Sequence, residues 1–146
     1  LKLIIAGDGP ERKKLEELIS GIGLEDKVRL TGSLSKEDLY GAIRSSDLFI
    51  LNTAYEGFSH QLLEVMYIGT PIITTNVGGN PEIIENEKNG ILVEYNEGDQ
   101  LEETIKKLLK DRVFAHELSE SAKGTVSKFN KERMLEELIT ELESVL

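Results

Sequence analysis

The sequence contains no cysteine among its 146 residues. The chain therefore has no disulfide and no thiolate nucleophile, which suits a reducing compartment. Basic residues are also few, with 17 Lys and Arg against 27 Asp and Glu, so the formal net charge is −10. Nucleic-acid-binding domains present a basic face, and we exclude nucleic acid as a partner. No apolar run is long enough to span a membrane, and no signal peptide is visible.

Three phosphate- or metal-binding motifs are missing as well. Gly7-x-Gly9 begins like a dinucleotide fingerprint, but the third glycine is absent and Pro10-Glu11-Arg12 follows. The chain has no Gly-Lys-Ser or Gly-Lys-Thr, so it is not a P-loop protein. Redox and NTPase functions are therefore disfavoured. An Asp-x-Asp pair, which could bridge a divalent cation to a diphosphate, is also absent, so we expect no metal and no cofactor.

Short apolar segments alternate with amphipathic ones along the whole chain. Strands are predicted at 3–6, 28–31, 48–51, 72–75 and 91–94, and helices at 10–22, 35–44, 59–68, 82–86, 99–110, 113–123 and 131–145. Pro10 suits a first helical turn, Ser35 to Asp38 forms a capping box, and Asn80 suits an N-cap. This alternation predicts one α/β domain, a Rossmann-like parallel sheet with helices on both faces.

The segment from Thr53 to Pro71 carries most of the functional information. It places Glu56 in a glycine turn after a strand, and Glu64 in a helix that is otherwise mostly apolar. Gly57, Phe58 and Ser59 open that helix, where free backbone N–H groups can hold an anion. Two carboxylates beside an anion site suit a ligand with hydroxyls at both ends and phosphate between them, which is the layout of a nucleotide-sugar.

Other loops that follow strands are rich in glycine or small polar residues, at 7–10, 31–34 and 76–80. Ligands of parallel sheets bind beyond the carboxyl ends of the strands. Gly7, Gly9, Gly32 and Leu34 are therefore candidate donor-binding residues, although for each loop taken alone the needs of a turn are the better explanation. Ser59 could simply be an N-cap, and Glu64 could belong to a polar surface strip with Gln61 and His60.

The spacing of Glu56 and Glu64 resembles the E-x7-E motif of family 4 (group 1) retaining glycosyltransferases, which have the GT-B fold. The surrounding segments YEGF, LLEVMYIGTPIITT, GGNPEII and NGILVEYNEGDQLEETI also resemble that family's motifs in order. So do IIAGDGPERKKLEELI and VRLTGSLSKEDL nearer the start. The resemblance covers essentially the whole chain and maps onto the C-terminal, donor-binding half of such an enzyme.

The resemblance implies transfer of a sugar from a nucleoside diphosphate sugar to an acceptor hydroxyl, with retention at the anomeric carbon. Glu56 would be the catalytic-site acid that accepts hydrogen bonds from the donor sugar, and Glu64 would accept them from the ribose. Gly57, Phe58 and Ser59 would hold the diphosphate through their N–H groups. The family usually has a second glycine where Ser59 stands, and His60 is not typical, so donor choice could differ.

We accordingly expect residues 1–146 to be a nucleotide-sugar-binding C-terminal domain whose first strand and N-terminal acceptor domain are missing. The acceptor, a sugar or a lipid-linked sugar, would bind through the missing domain. The family's Arg and Lys that stabilise the diphosphate would also lie upstream, so the isolated domain is expected to be inactive. The whole enzyme would be cytoplasmic, or membrane-associated through the missing domain.

Two alternatives remain open. A sugar-nucleotide epimerase has the same fold and binds a similar ligand, but the E-x7-E spacing and the GGNPEII segment favour a transferase. The chain could also be a nucleotide-binding module without chemistry.

Overall fold

The computed structural model describes residues 1–129. The strands are β1 (Leu3–Ala6), β2 (Val28–Gly32), β3 (Phe49–Leu51), β4 (Ile72–Thr75) and β5 (Ile91–Val93). The helices are α1 (Arg12–Gly21), α2 (Lys36–Ser45), α3 (His60–Ile68), α4 (Asn80–Ile83), α5 (Gly98–Lys110) and α6 (Arg112–Val126), and a 3₁₀ turn follows at Ser127–Phe129. The predicted helix at 131–145 lies outside the described residues.

All strand pairs are parallel, which confirms the predicted α/β class. The strands form a two-stranded sheet, β1–β2, and a three-stranded sheet with the order β3–β4–β5. They fall in two compact units, Leu1–Ala42 and Ile43–Leu146.

The second unit has a continuous apolar core. β4 lies between β3 and β5, and all four of its residues are buried, as expected for the middle strand of a parallel sheet. Ile73 of β4 packs with Val93 of β5, Leu108 of α5 and Leu118 of α6. This core fixes the carboxyl ends of the three strands, from which the loops of the candidate site emerge.

In the first unit, apolar side chains of β1 are partly exposed to solvent. Leu3 and Ile4 of β1 are each 46% exposed, although apolar parallel strands are normally buried.

Helix α2 begins as the sequence predicts, because the Ser35 hydroxyl accepts a bond from the Asp38 N–H (3.1 Å) and donates to the Asp38 carboxylate (2.7 Å).

Two predicted helix starts were wrong. Helix α1 begins at Arg12, so Pro10 lies in the preceding turn rather than in the first helical turn. Helix α4 begins at Asn80 rather than Glu82, and Asn80 does not cap it. The Asn80 side chain is fully buried, and its Nδ2 donates to the Thr74 hydroxyl and to the Thr75 carbonyl, each at 3.0 Å. Asn80 therefore ties α4 back to the end of β4.

The substitution Asn80→Asp is expected to lower the free energy of unfolding by about 2–4 kcal/mol, because it removes a buried donor and turns a carboxylate oxygen toward the Thr75 carbonyl. Urea unfolding measures this loss. Asn96→Asp, at an exposed turn position, is the matched control. Equal midpoints for the two variants would contradict the role assigned to the Asn80 amide.

Candidate donor-binding site

Glu56 lies in the loop that joins β3 to α3, and its side chain is half-buried. The Thr53 hydroxyl donates to the Tyr55 carbonyl at 2.7 Å and accepts from the Tyr55 N–H at 3.3 Å. This tight turn holds the backbone immediately before Glu56, so the direction in which the carboxylate leaves the loop is set locally.

Ser59 occupies the N-cap position of α3, with an extended backbone (φ −80°, ψ 97°). Ser59 is only 3% exposed, and within the described part of the chain its hydroxyl makes no capping hydrogen bond. The N-cap position is thus as expected, but the side chain does not satisfy the N–H groups of the first turn. Those groups lie at the positive end of the helix dipole, where an anion is stabilised.

Glu64 lies on the second turn of α3 beside the apolar face of the helix. Leu62, Val65 and Met66 are all 0% exposed, and α3 packs against α6. Glu64 itself is half-buried, so its carboxylate lies at the border of this face. The helix ends at Gly69, whose φ of 88° is the left-handed C-cap conformation.

Phe58 contributes a side-chain contact that the sequence did not indicate. Its ring meets the His60 ring edge-on at 5.8 Å between centroids and lies 5.7 Å from the Phe129 ring. Aromatic pairs at these distances add packing energy. The ring therefore anchors the entrance of α3, while its backbone N–H remains the group predicted to face the donor.

The β4–α4 loop, residues 76–79, packs directly on the Glu56 loop. The Gly79 N–H donates to the Glu56 carbonyl at 3.1 Å. A Cβ atom added to Gly78 would lie 1.8 Å from the Glu56 carbonyl oxygen, and one added to Gly79 would lie 2.4 Å from that of Gly57. The glycines of this loop were expected to admit a ligand. In the structure they admit the backbone of a neighbouring loop, and sequence spacing carries no signal for that contact.

The other predicted donor-binding residues lie in the first unit. The Gly7 N–H donates to the Gly32 carbonyl at 2.9 Å, and the Gly9 N–H donates to the Asp8 carboxylate at 2.9 Å. Gly7 and Gly32 have left-handed φ values of 120° and 68°, which favour glycine. Leu34 is half-buried just after β2. The unit thus brings Gly7 and Gly32 into direct contact.

A cavity of about 290 Å³ opens beside this loop. It is lined by residues 7–10, by the apolar side chains of Ile5, Leu15 and Leu30, and by Arg12. The Arg12 Nε donates to the Glu16 carboxylate at 2.9 Å, in an exposed ion pair along the helix. The carboxylates of Asp8 and Glu11 also line the cavity, so they oppose the charge of Arg12.

The second unit places two half-buried carboxylates and a helix N-terminus on one continuous segment, residues 56–64. Ionised carboxylates accept hydrogen bonds only, so Glu56 and Glu64 can each bind hydroxyl donors.

Within residues 1–129 no helix combines the length and the apolar character needed to cross a bilayer. The same residues contain no group of three His, Asp or Glu side chains placed to hold a metal ion.

The family model for "Glycosyl transferases group 1" matches residues 1–125. The chain belongs to the group 1 glycosyl transferase family. It is 32% identical over 140 residues to N-acetyl-alpha-D-glucosaminyl L-malate synthase of Bacillus anthracis. The matched segment covers 95% of the chain and 36% of that relative. The chain therefore spans about a third of the length of this relative.

Two solved structures have a similar fold. The crystal structure of Anabaena HepE in complex with UDP-glucose matches with a TM-score of 0.83 at 26% identity, over 99% of the chain and 41% of HepE. The C-terminal domain of a group 1 glycosyl transferase (LpcC) from Francisella tularensis matches with a TM-score of 0.76 at 24% identity, over 86% of the chain and 67% of that domain. The second match shows the fold alone, and the first is to a protein that was solved with UDP-glucose.

Proposed function

We propose that the chain is the donor-binding domain of a retaining, family 4 glycosyltransferase. The full-length enzyme would move a sugar from a nucleoside diphosphate sugar to an acceptor hydroxyl. The observation that carries this proposal is the segment from Glu56 to Glu64, in which the N-terminus of α3 separates two half-buried carboxylates. Family membership supports it, because the family is one of glycosyl transferases, and so does the similarity to a protein solved with UDP-glucose.

Each part of this segment has a separate role in the proposed reaction. Negative charge develops on the departing diphosphate, and the N–H groups at residues 57–59 and the dipole of α3 would stabilise it. Glu56 would accept hydrogen bonds from hydroxyls of the donor sugar and so orient its anomeric carbon. Glu64, on the second turn of α3, would accept from the ribose hydroxyls and fix the nucleoside.

Under this proposal, the full-length enzyme needs a further domain for catalysis. An acceptor, a sugar or a lipid-linked sugar, would bind through a further domain, with the reaction taking place in the cytoplasm. The donor would need no metal, since the proposed diphosphate site is built from N–H groups and the chain has no Asp-x-Asp pair.

Thermal unfolding of the full-length protein against UDP-glucose, GDP-mannose and ADP-glucose, each in EDTA, tests this proposal. At a hundredfold excess over Kd, one donor should stabilise the protein by about 2.7 kcal/mol, raising Tm by several degrees. We call the nucleotide-sugar that raises Tm most the panel donor. Added Mn²⁺ should change its effect little. If no nucleotide-sugar raises Tm, the proposed function is wrong, and binding only with Mn²⁺ would contradict the metal-free diphosphate site.

A further inference from the structure

The contact between the β4–α4 loop and the Glu56 loop leaves no room for side chains. A Cβ on Gly78 would meet three backbone atoms of Glu56: its carbonyl oxygen at 1.8 Å, its carbonyl carbon at 2.9 Å and its nitrogen at 3.3 Å. A Cβ on Gly79 would meet the Gly57 oxygen at 2.4 Å and the Gly57 carbon at 3.0 Å. Backbone atoms cannot change rotamer to make room, so any larger residue must move one loop against the other.

A second set of bonds joins the same two loops. The Thr75 hydroxyl, at the end of β4, donates to the Thr53 carbonyl at 2.7 Å and accepts from the Thr53 N–H at 3.3 Å. Thr53 in turn holds the Tyr55 carbonyl at 2.7 Å. The Glu56 loop is therefore held at two points, at Thr53 and at the Glu56 carbonyl, which accepts from the Gly79 N–H.

We propose that Gly78 and Gly79 are positioning residues for Glu56. This inference rests on the proposed function, because it gives Glu56 a donor sugar to orient. The close approach fixes the backbone of both Glu56 and Gly57, so the carboxylate and the entrance of α3 are held in one frame. A shift of about 1 Å in a positioning group can cost a hundredfold in rate, and a methyl group at position 79 forces a shift of that order.

Gly79→Ala in the full-length protein isolates the contact from backbone strain. Gly79 has φ −81° and ψ −2°, which alanine adopts readily, so only the approach to Gly57 is disturbed. Gly124→Ala is its matched control, since a Cβ there meets nothing within 4 Å. Gly78→Ala adds a left-handed φ of 52° to the clash, and Gly23→Ala, with φ 66° and open space around it, measures that strain alone.

The kinetic readout is kcat/KM for the panel donor, in a double-mutant cycle with Glu56→Gln. Gly79→Ala should lower kcat/KM about tenfold to a hundredfold. In the Glu56→Gln background the same substitution should cost clearly less than in the parent, because the share of the loss that acts through Glu56 is already gone and only the displaced N–H groups at residues 57–59 still contribute. Gly124→Ala and Gly23→Ala should stay within about twofold of the parent in kcat/KM.

Hydrogen exchange of the peptide that spans residues 53–59 tests the positioning without relying on catalysis. Gly79→Ala should raise the exchange rate of this peptide, while Gly124→Ala leaves it unchanged. Unchanged exchange would overturn the inference whatever Glu56 does. Losses from Gly79→Ala and Glu56→Gln that simply multiply would overturn it as well, since a merely structural role of the loop gives that result. If Glu56→Gln itself has no kinetic effect, the assigned role of Glu56 fails, and the exchange result still shows whether the glycines hold the loop.

Discussion

The full-length Glu64→Ala variant is expected to bind both the panel donor and its parent nucleoside diphosphate about 10²–10⁴-fold more weakly. Two hydroxyls that donate to an ionised carboxylate contribute about 1.5–3 kcal/mol each, and every 1.4 kcal/mol is a tenfold change in Kd. The two ligands should lose affinity equally, because the ribose is common to both. Titration calorimetry in EDTA measures both constants.

The helix should survive this substitution, since alanine favours helices and the packing of α3 rests on Leu62, Val65 and Met66. Glu103→Ala, at an exposed position of α5, is the matched control and should leave both affinities unchanged. Glu64→Gln keeps one acceptor oxygen and should fall between the parent and the alanine variant. Unchanged affinity in Glu64→Ala would return Glu64 to the polar surface strip that it shares with Gln61 and His60.

The sequence predicted the elements that carry the site because their signals are local. The apolar run around Glu64 defines a helix whose inward residues are fully buried, and the observed α3 differs from the predicted range by a single residue. The capping box at Ser35 likewise places the start of α2, since both of its partners lie within four residues. Strand bounds follow from short apolar runs, and each observed strand agrees with its prediction to within one residue at either end.

Caps and glycines were less predictable because their roles depend on distant partners. Asn80 looked like an N-cap, but it turns inward to Thr74 and Thr75, which lie on another element. Ser59 has the N-cap backbone, yet its hydroxyl does not cap the helix. Gly78 and Gly79 looked like ligand-approach residues, and the atoms that require them belong to Glu56 and Gly57, more than twenty positions earlier in the chain. A sequence pattern records the need for a small residue but not what approaches it.

Glu56→Gln is expected to lower kcat/KM for the panel donor about 10- to 150-fold while leaving the affinity for the parent nucleoside diphosphate unchanged. Glutamine keeps the size of the side chain but loses the charge that strengthens hydrogen bonds from the sugar hydroxyls, a loss of about 1.5–3 kcal/mol. The nucleotide without its sugar does not reach this carboxylate under the proposed arrangement. Steady-state kinetics and calorimetry of the full-length enzyme measure the two quantities.

This pattern separates Glu56 from Glu64, because a ribose-binding acid weakens both ligands and a sugar-binding acid weakens only the one that carries the sugar. Glu25→Gln, in the exposed turn before β2, controls for the loss of one negative charge from a protein with a net charge of −10. Equal losses for the two ligands in Glu56→Gln would place Glu56 at the nucleotide. The sugar would then have to be oriented by residues outside the segment from Glu56 to Glu64, and the division of labour across the N-terminus of α3 would be wrong.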